Sequence, residues 1–227
     1  MDQPRAVLVD AYGTLFDVYS VGLLAEQLFP GQGQALSVLW RDKQIEYTRL
    51  VTTSSDGAHY QPFWALTRAS LRHAGKRLGL DLTAEREQQL MNQYRHLSAF
   101  PENREVLQAL KKRRVTTGIL SNGDPEMLGI AVRSAGLEGL LDHVLSVDSV
   151  RKYKTHPDAY RLGTQATGRD ARQILFVSCN GWDALGATWF GYRTLWVNRY
   201  QLPFEELGTQ PTRTGSTLRD VLGFFDS

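Results

Sequence analysis

The chain is short of the features that would assign it to several large protein classes. Cys179 is the single cysteine among 227 residues, so no internal disulfide can form and a reducing compartment is the natural setting. No run approaches the roughly 20 apolar residues that a membrane-spanning helix needs. The opening Met1-Asp2-Gln3-Pro4-Arg5 lacks the charged-then-apolar order of a secretion signal, so a cytoplasmic location is the expectation. Charge of one sign is missing too: 26 basic residues nearly offset 24 acidic ones, leaving a formal +2. That balance argues against a nucleic-acid-binding surface. The basic run Lys111-Lys112-Arg113-Arg114 is too short to change this and reads as the solvated end of a helix, where cations suit the macrodipole. His59, His73, His96, His143 and His156 share no spacing or partner motif, and metal binding by them is not expected. What is present is an ordinary globular content, 42% hydrophobic, enough for one large domain or a core with a smaller companion.

Short apolar runs rich in branched residues, at 6–9, 115–120, 143–147, 174–177 and 192–197, end at small or polar residues. They read as buried parallel strands. Helical segments at about 125–134, 157–166 and 181–190 separate the later ones. This alternation predicts right-handed βαβ units and an α/β fold, a doubly wound, Rossmann-like parallel sheet. Ligands of such sheets bind beyond the carboxyl ends of the strands. Asp10, Ser121, Asn122, Asp148 and the stretch from Ser178 to Asp183 all follow strand ends.

Residues 17–99 carry no strand character and are too helical for a loop. They read as four helices beginning near Val18, Gln34, Pro62 and Thr83, forming a helical cap domain inserted after the first strand. Residues 1–16 and 100–227 then make the core domain. In the second of these helices Leu36, Leu39, Trp40, Tyr47, Leu50 and Val51 form an apolar stripe, with Arg41 and Ile45 off it, one turn apart and free to face something else. The tail, from about Gln201, is rich in Thr, Gly and Pro and reads as loop before a short final helix.

The strongest local signal is Asp10-Ala11-Tyr12-Gly13-Thr14-Leu15-Phe16-Asp17. A carboxylate at a strand end before a glycine turn is exposed to a ligand while its backbone stays fixed. An isolated Asp-x-x-Gly is more often an ordinary turn, the aspartate bonding its own loop. Further segments decide between the two: Leu120-Ser121-Asn122-Gly123, Ser146-Val147-Asp148, Tyr153-Lys154 with Pro157 and Tyr160, Phe176-Val177-Ser178-Cys179-Asn180-Gly181-Trp182-Asp183, and Trp196-Val197-Asn198-Arg199. Together, nearly end to end, they resemble the haloacid dehalogenase superfamily and, within it, the L-2-haloacid dehalogenases of type II. The first block marks the superfamily, and the Ser-x-Asn-Gly-Trp-Asp block points to the dehalogenase branch.

Phosphatases sharing this fold carry a second Asp two residues after the nucleophile, to protonate the leaving oxygen, and hold Mg²⁺ with a late acidic pair. Here Tyr12 replaces the second Asp, and the late pair is reduced to Asp183 with Ser178 and Asn180 nearby. A hard cation wants several oxygen ligands, carboxylates especially, and phosphoryl transfer needs charge neutralisation that such a site would largely lack. Halide is a weak base and needs no proton donor. The expectation is therefore a metal-independent hydrolase without cofactor.

The resemblance implies a role for each site residue. Asp10 is the covalent nucleophile, with Lys154 as counter-charge, Thr14 as hydrogen-bond donor, and Tyr160 at the matching spacing. The substrate carboxylate falls to Ser121, the backbone N–H groups of Ala11 and Tyr12, and the helix start after Asn122. Arg41 with Asn122 is the expected halide cradle. Tyr12, Ile45, Phe63 and Trp182 are candidates for an apolar wall that excludes water. Asp183, with Ser178 and Asn180, serves the second step, either as base for the hydrolytic water or as an anchor for Lys154; both readings stay open. The partners implied are a small 2-halocarboxylate, halide and water, and a homodimer, with neither nucleic acid nor membrane. Two departures stand out. Asp42 lies where relatives tend to carry glutamine, beside the cradle, and Cys179, where Ser is common, reads as a small buried residue.

Overall fold

The computed structural model describes residues 3–226. The first strand, β1 (Ala6–Val9), is buried on both faces, as expected of a strand covered by helices on either side. Beyond it come four helices, α1 (Gly22–Leu28), α2 (Gly33–Thr53), α3 (Phe63–Arg77) and α4 (Ala84–Arg95). The chain then alternates through α5 (Asn103–Lys112), β2 (Thr116–Ser121), α6 (Pro125–Ser134), β3 (His143–Ser146), α7 (Pro157–Thr167), β4 (Ile174–Ser178), α8 (Gly181–Phe190), β5 (Arg193–Val197) and β6 (Arg213–Gly215). The strands form one parallel sheet in the order β3-β2-β1-β4-β5-β6. The doubly wound α/β reading therefore holds. β1 lies between β2 and β4, with Val9 opposite both Ile119 and Val177, so the order of connection reverses across β1. That switch point is where ligands of open α/β sheets bind.

Local chemistry explains most element ends. Pro125 and Pro157 open α6 and α7, where a missing N–H costs nothing and φ is already helical. The His156 ring accepts from the Asp158 N–H at 3.2 Å to cap α7. Gly168 and Gly191 stop α7 and α8 in the left-handed conformation. The basic run closes α5 and lies near the surface as expected, with Lys111 paired to Asp142 at 2.5 Å.

Several expectations need correction. The segment at 143–147 is not a fully buried strand: β3 is half-exposed because it forms one edge of the sheet. The tail contains a strand, β6, before its final 3-10 turn; Arg213-Thr214-Gly215 has no apolar residue to announce it. The first helix of the insertion begins at Gly22 rather than near Val18. Asp17 takes hydrogen bonds from the Tyr19 N–H at 2.9 Å and its carbonyl from the Ser20 hydroxyl at 2.7 Å, a turn that competes with helix. In α2 the inward face is Leu36, Ser37, Trp40, Arg41, Gln44 and Thr48, while Leu50 is 52% exposed. The stripe holds at Leu36 and Trp40, with Leu39, Tyr47 and Val51 packed against the core, but α2 also buries polar side chains that apolar periodicity does not mark.

The insertion leaves and rejoins the core side by side. Asp17 N–H donates to the Ser98 carbonyl at 2.8 Å, and the Leu15 carbonyl accepts from Phe100 N–H at 3.0 Å and from the Asn103 amide at 2.7 Å. Within it, α2 and α3 are locked by the Trp40 indole, which donates to the Thr67 carbonyl at 2.7 Å. Among the described residues no helix is long and apolar enough to cross a membrane.

Candidate active site

Asp10 is the first residue past β1, and its N–H donates to the Val177 carbonyl at 2.9 Å, which pins it to the end of β4. The chain then folds back in a tight turn. The Ala11 carbonyl accepts from the N–H groups of Thr14, Leu15 and Phe16 at 3.2, 2.9 and 3.0 Å. Gly13 has φ +95° and a virtual Cβ there would come 3.3 Å from the Asn180 side chain, so both backbone and space require glycine. Gly123, after β2, lies so close to Tyr12 that a Cβ would meet its ring at 2.6 Å. The turn leaves the N–H groups of Ala11 and Tyr12 without a hydrogen-bonded backbone carbonyl among the described residues.

Three polar groups converge on the Asp10 carboxylate. Oδ1 accepts from Lys154 Nζ at 3.0 Å; Oδ2 accepts from the Thr14 hydroxyl at 3.0 Å and the Asn180 amide at 2.9 Å. Lys154 Nζ also donates to Asp183 Oδ2 at 2.9 Å, and Asp183 Oδ1 accepts from the Tyr160 hydroxyl at 2.8 Å. Asp10, Lys154 and Asp183 are all buried, so this ammonium is shared between two carboxylates out of contact with bulk water. Burial alone would lower the Lys154 pKa, but Asp10 and Asp183 together outweigh it and hold it above the ordinary lysine value. Burial pushes the Asp183 carboxyl up to about 6, with Lys154 pulling the other way. Burial likewise raises the Tyr160 and Tyr12 phenols well above their ordinary range. Both stay neutral, and Tyr160 remains a donor.

The elements explain this convergence. Asp183 sits in the first turn of α8, and Ser178 at the end of β4 accepts from the Asn180 N–H at 3.1 Å. Thr14 spans the gap by accepting from the Cys179 N–H at 2.9 Å. Cys179 is half-buried rather than buried. On the other side of Asp10, Asn122 Oδ1 accepts from the Lys154 N–H at 3.0 Å and fixes the lysine backbone. Ser121 accepts from the Gly123 N–H at 3.1 Å and keeps its own proton to donate.

From the insertion comes Arg41. Its guanidinium donates to Gln44 Oε1 at 2.7 Å, to the Tyr12 carbonyl at 3.1 Å and to Asn180 Oδ1 at 3.2 Å. Asn180 Oδ1 thus faces Arg41, while its amide hydrogens go to Asp10 Oδ2 at 2.9 Å and the Tyr12 carbonyl at 3.0 Å. Asn122 follows β2 and Asn180 follows β4, and these strands flank β1 on opposite sides. Asp42 is exposed and turned from the cleft, since adjacent residues of a helix point about 100° apart. Phe63 is buried with its ring 5.5 Å from that of Tyr12, which stacks on Tyr94 at 5.8 Å. Trp182 lines a cleft of about 180 Å³ together with Gly13, Tyr19, Arg41, Asn180 and Tyr200. Ile45, half-buried one turn beyond Arg41, does not line it.

Gln44 and Tyr94 complete the site and were missed. Neither is charged, neither lies in a recognisable block, and no sequence signal marks either. The donor set does not suit a metal ion. Among the described residues no three His, Cys, Asp or Glu side chains converge as ligands. Within the site the two carboxylates that approach a common point, Asp10 and Asp183, are already bridged by the Lys154 ammonium, whereas a hard dication needs a cage of several oxygens.

With this geometry established, comparison with known proteins is informative. Residues 4–191 match the family described as haloacid dehalogenase-like hydrolase. Over its full length the chain is 43% identical to the (S)-2-haloacid dehalogenase of Pseudomonas sp. (strain YL), covering 97% of that protein. It aligns with the crystal structure of an L-2-haloacid dehalogenase at a TM-score of 0.97 and 57% identity, covering 100% of both chains. The L-2-haloacid dehalogenase of Xanthobacter autotrophicus, solved with chloropropionic acid covalently bound, aligns with a TM-score of 0.89 at 33% identity over 98% of each chain.

Proposed function

The chain belongs to the haloacid dehalogenase-like hydrolases, and from that premise we propose that it is an (S)-2-haloacid dehalogenase acting without metal. It converts an L-2-haloacid and water to the (R)-2-hydroxyacid, halide and a proton. The observation that carries this reading is the buried Asp10 carboxylate held at 3.0 Å by Lys154, with neutral Tyr12 standing two residues on, where a phosphatase needs an acid.

In the first step an oxygen of Asp10 attacks C2 in line. A C–O bond forms, the carbon–halogen bond breaks, and its electron pair leaves with the halide. Lys154, Thr14 and Asn180 hold the carboxylate in place and aimed. Holding a weak nucleophile against the carbon supplies up to roughly 7–11 kcal/mol. Ser121 and the free N–H groups of Ala11 and Tyr12 bind the substrate carboxylate. Arg41 and Asn122 receive the halide, and Tyr12, Phe63 and Trp182 keep bulk water from the reacting carbon. In the second step water attacks the carbonyl carbon of Asp10. The acyl–oxygen bond breaks, the product oxygen takes a proton, and Asp10 returns with one oxygen from water. The stereocentre is inverted once. Asp183 either accepts the water proton or holds Lys154 in place.

The test is release of chloride from L-2-chloropropionate in the presence of EDTA. Asp10→Asn abolishes it, and a wild-type enzyme that releases none overturns the proposal. A single turnover in ¹⁸O water places label in the peptide bearing Asp10; label confined to the product would mean direct attack by water. A cytoplasmic homodimer completes the reading. Exposed Leu23 and Val38, on α1 and α2, offer apolar area for the dimer, to be checked by light scattering.

A further inference from the structure

We propose that Gln44 is a positioning residue that aims the Arg41 guanidinium at the departing halide while leaving its positive charge uncancelled. The inference rests on the reading of Arg41 as the halide receiver and extends it to residues that no motif contains. Gln44 is fully buried at the meeting point of three helices of the insertion. Its Oε1 accepts from Arg41 at 2.7 Å and from the Tyr94 hydroxyl at 3.1 Å, and its Nε2 donates to Thr67 Oγ1 at 2.6 Å.

The orientation of this amide is forced. The Thr67 hydroxyl donates to the Phe63 carbonyl at 2.8 Å, so toward Gln44 it offers a lone pair and selects the NH₂ end. The oxygen end must then face Arg41, which has donors alone. Tyr94, whose phenol is raised by burial and stays protonated, adds a second donor to the same oxygen. The chain from α3 through Gln44 to α2, braced by α4, thus sets the rotamer of Arg41.

The choice of a neutral acceptor matters as much as its position. Arg41 donates to the amide oxygen of Gln44, the carbonyl of Tyr12 and the amide oxygen of Asn180, all uncharged. A carboxylate at position 44 would have the same shape and a shorter, stronger bond, yet would cancel the charge that a halide needs. Glutamine orients the guanidinium and leaves it free to attract an anion.

The test uses chloride as product inhibitor of L-2-chloropropionate turnover, measured across pH for the wild type and for Gln44→Glu. The substitution is expected to raise the chloride Ki and lower kcat/KM by about tenfold or more near pH 8. The deficit relative to wild type should narrow as pH falls and the new carboxyl takes up its proton. A merely structural role would lower kcat/KM without raising the chloride Ki. If Gln44→Glu fails to fold, Gln44→Met, similar in shape and without the acceptor, should raise the chloride Ki severalfold at every pH. Tyr94→Phe, losing one hydroxyl, should do so by about threefold. An unchanged Ki in a folded Gln44 variant, or a pH-independent deficit in Gln44→Glu, overturns the inference. Arg41→Gln run in parallel separates the two levels. If it leaves the Ki unchanged, the halide role of Arg41 falls; if it abolishes chloride inhibition while Gln44→Glu behaves as wild type, the role of Gln44 falls alone.

Discussion

The two buried cations of the site are treated in opposite ways. Lys154, from the core, is bound to two carboxylates at 3.0 and 2.9 Å. Arg41, from the helical insertion, is surrounded by neutral oxygens. Both need partners, because a buried donor without one costs several kcal/mol. The difference lies in what charge remains. In the core, two carboxylates and one ammonium leave about one negative charge, suited to a nucleophile that must stay ionised. In the insertion the full positive charge survives, suited to holding an anion. In the proposed mechanism the nucleophile and the leaving group thus face opposite fields, and Asn180, bonded to both Asp10 and Arg41, stands between them.

Removing the lysine should break this contrast most severely. Lys154→Met leaves Asp10 and Asp183 buried with no counter-charge, and should cost about 3–5 kcal/mol in urea unfolding together with nearly all activity. The stability deficit should shrink as pH falls, because protonation removes the repulsion. A deficit that grows on acidification would show that the lysine is not the counter-charge. Arg41→Gln removes charge from the other side without leaving a buried ion. It should spare stability to within about 1 kcal/mol but lower kcat/KM by about 10²–10³-fold, as loss of a transition-state donor does.

A smaller effect probes the ammonium's second partner. Since burial holds the Asp183 carboxyl up near 6, its ionised form is present above that pH and is lost below it. The rate of ester hydrolysis should fall tenfold per unit on the acid side of about 6, read from kcat. In Asp183→Asn the limb should vanish. Burst release of halide with a trapped Asp10 ester would then favour the base, whereas loss of the burst would favour the anchor. The least effect is expected at Asp42. It adjoins Arg41 in sequence but is exposed, so Asp42→Asn should change kcat/KM by no more than about twofold in 0.15 M salt. A larger change would mean that its charge reaches the cleft.

Much of the core side was legible in the chain. Asp10, Thr14, Ser121, Lys154 and Asp183 sit at the ends of apolar runs that can be buried as parallel strands, and a parallel sheet brings those ends to one edge. Lys154 and Asp183 are 29 residues apart and still meet, Lys154 reaching in from beyond β3 and Asp183 from beyond β4. The insertion was less legible. Its helices were evident, but the buried face of α2 carries Ser37, Arg41, Gln44 and Thr48, and hydrophobic periodicity looks for apolar residues. Gln44 meets Tyr94 across 50 residues, between two helices whose crossing no local pattern specifies. β6 escaped for a related reason, being held by pairing to β5 rather than by its own side chains.

From the sequence alone came the strand and helix alternation and, through the family resemblance, the carboxylate at the first strand end with its lysine and second aspartate. The alternation depends on local pattern and on the few ways in which βαβ units can connect. Tertiary structure alone decided that Arg41 bonds Asn180, that Asp42 faces outward, and that an uncharged amide holds the guanidinium. Those outcomes depend on which faces of separate helices touch and on which side of the central strand each loop emerges, and such long-range geometry is fixed only when the whole chain packs.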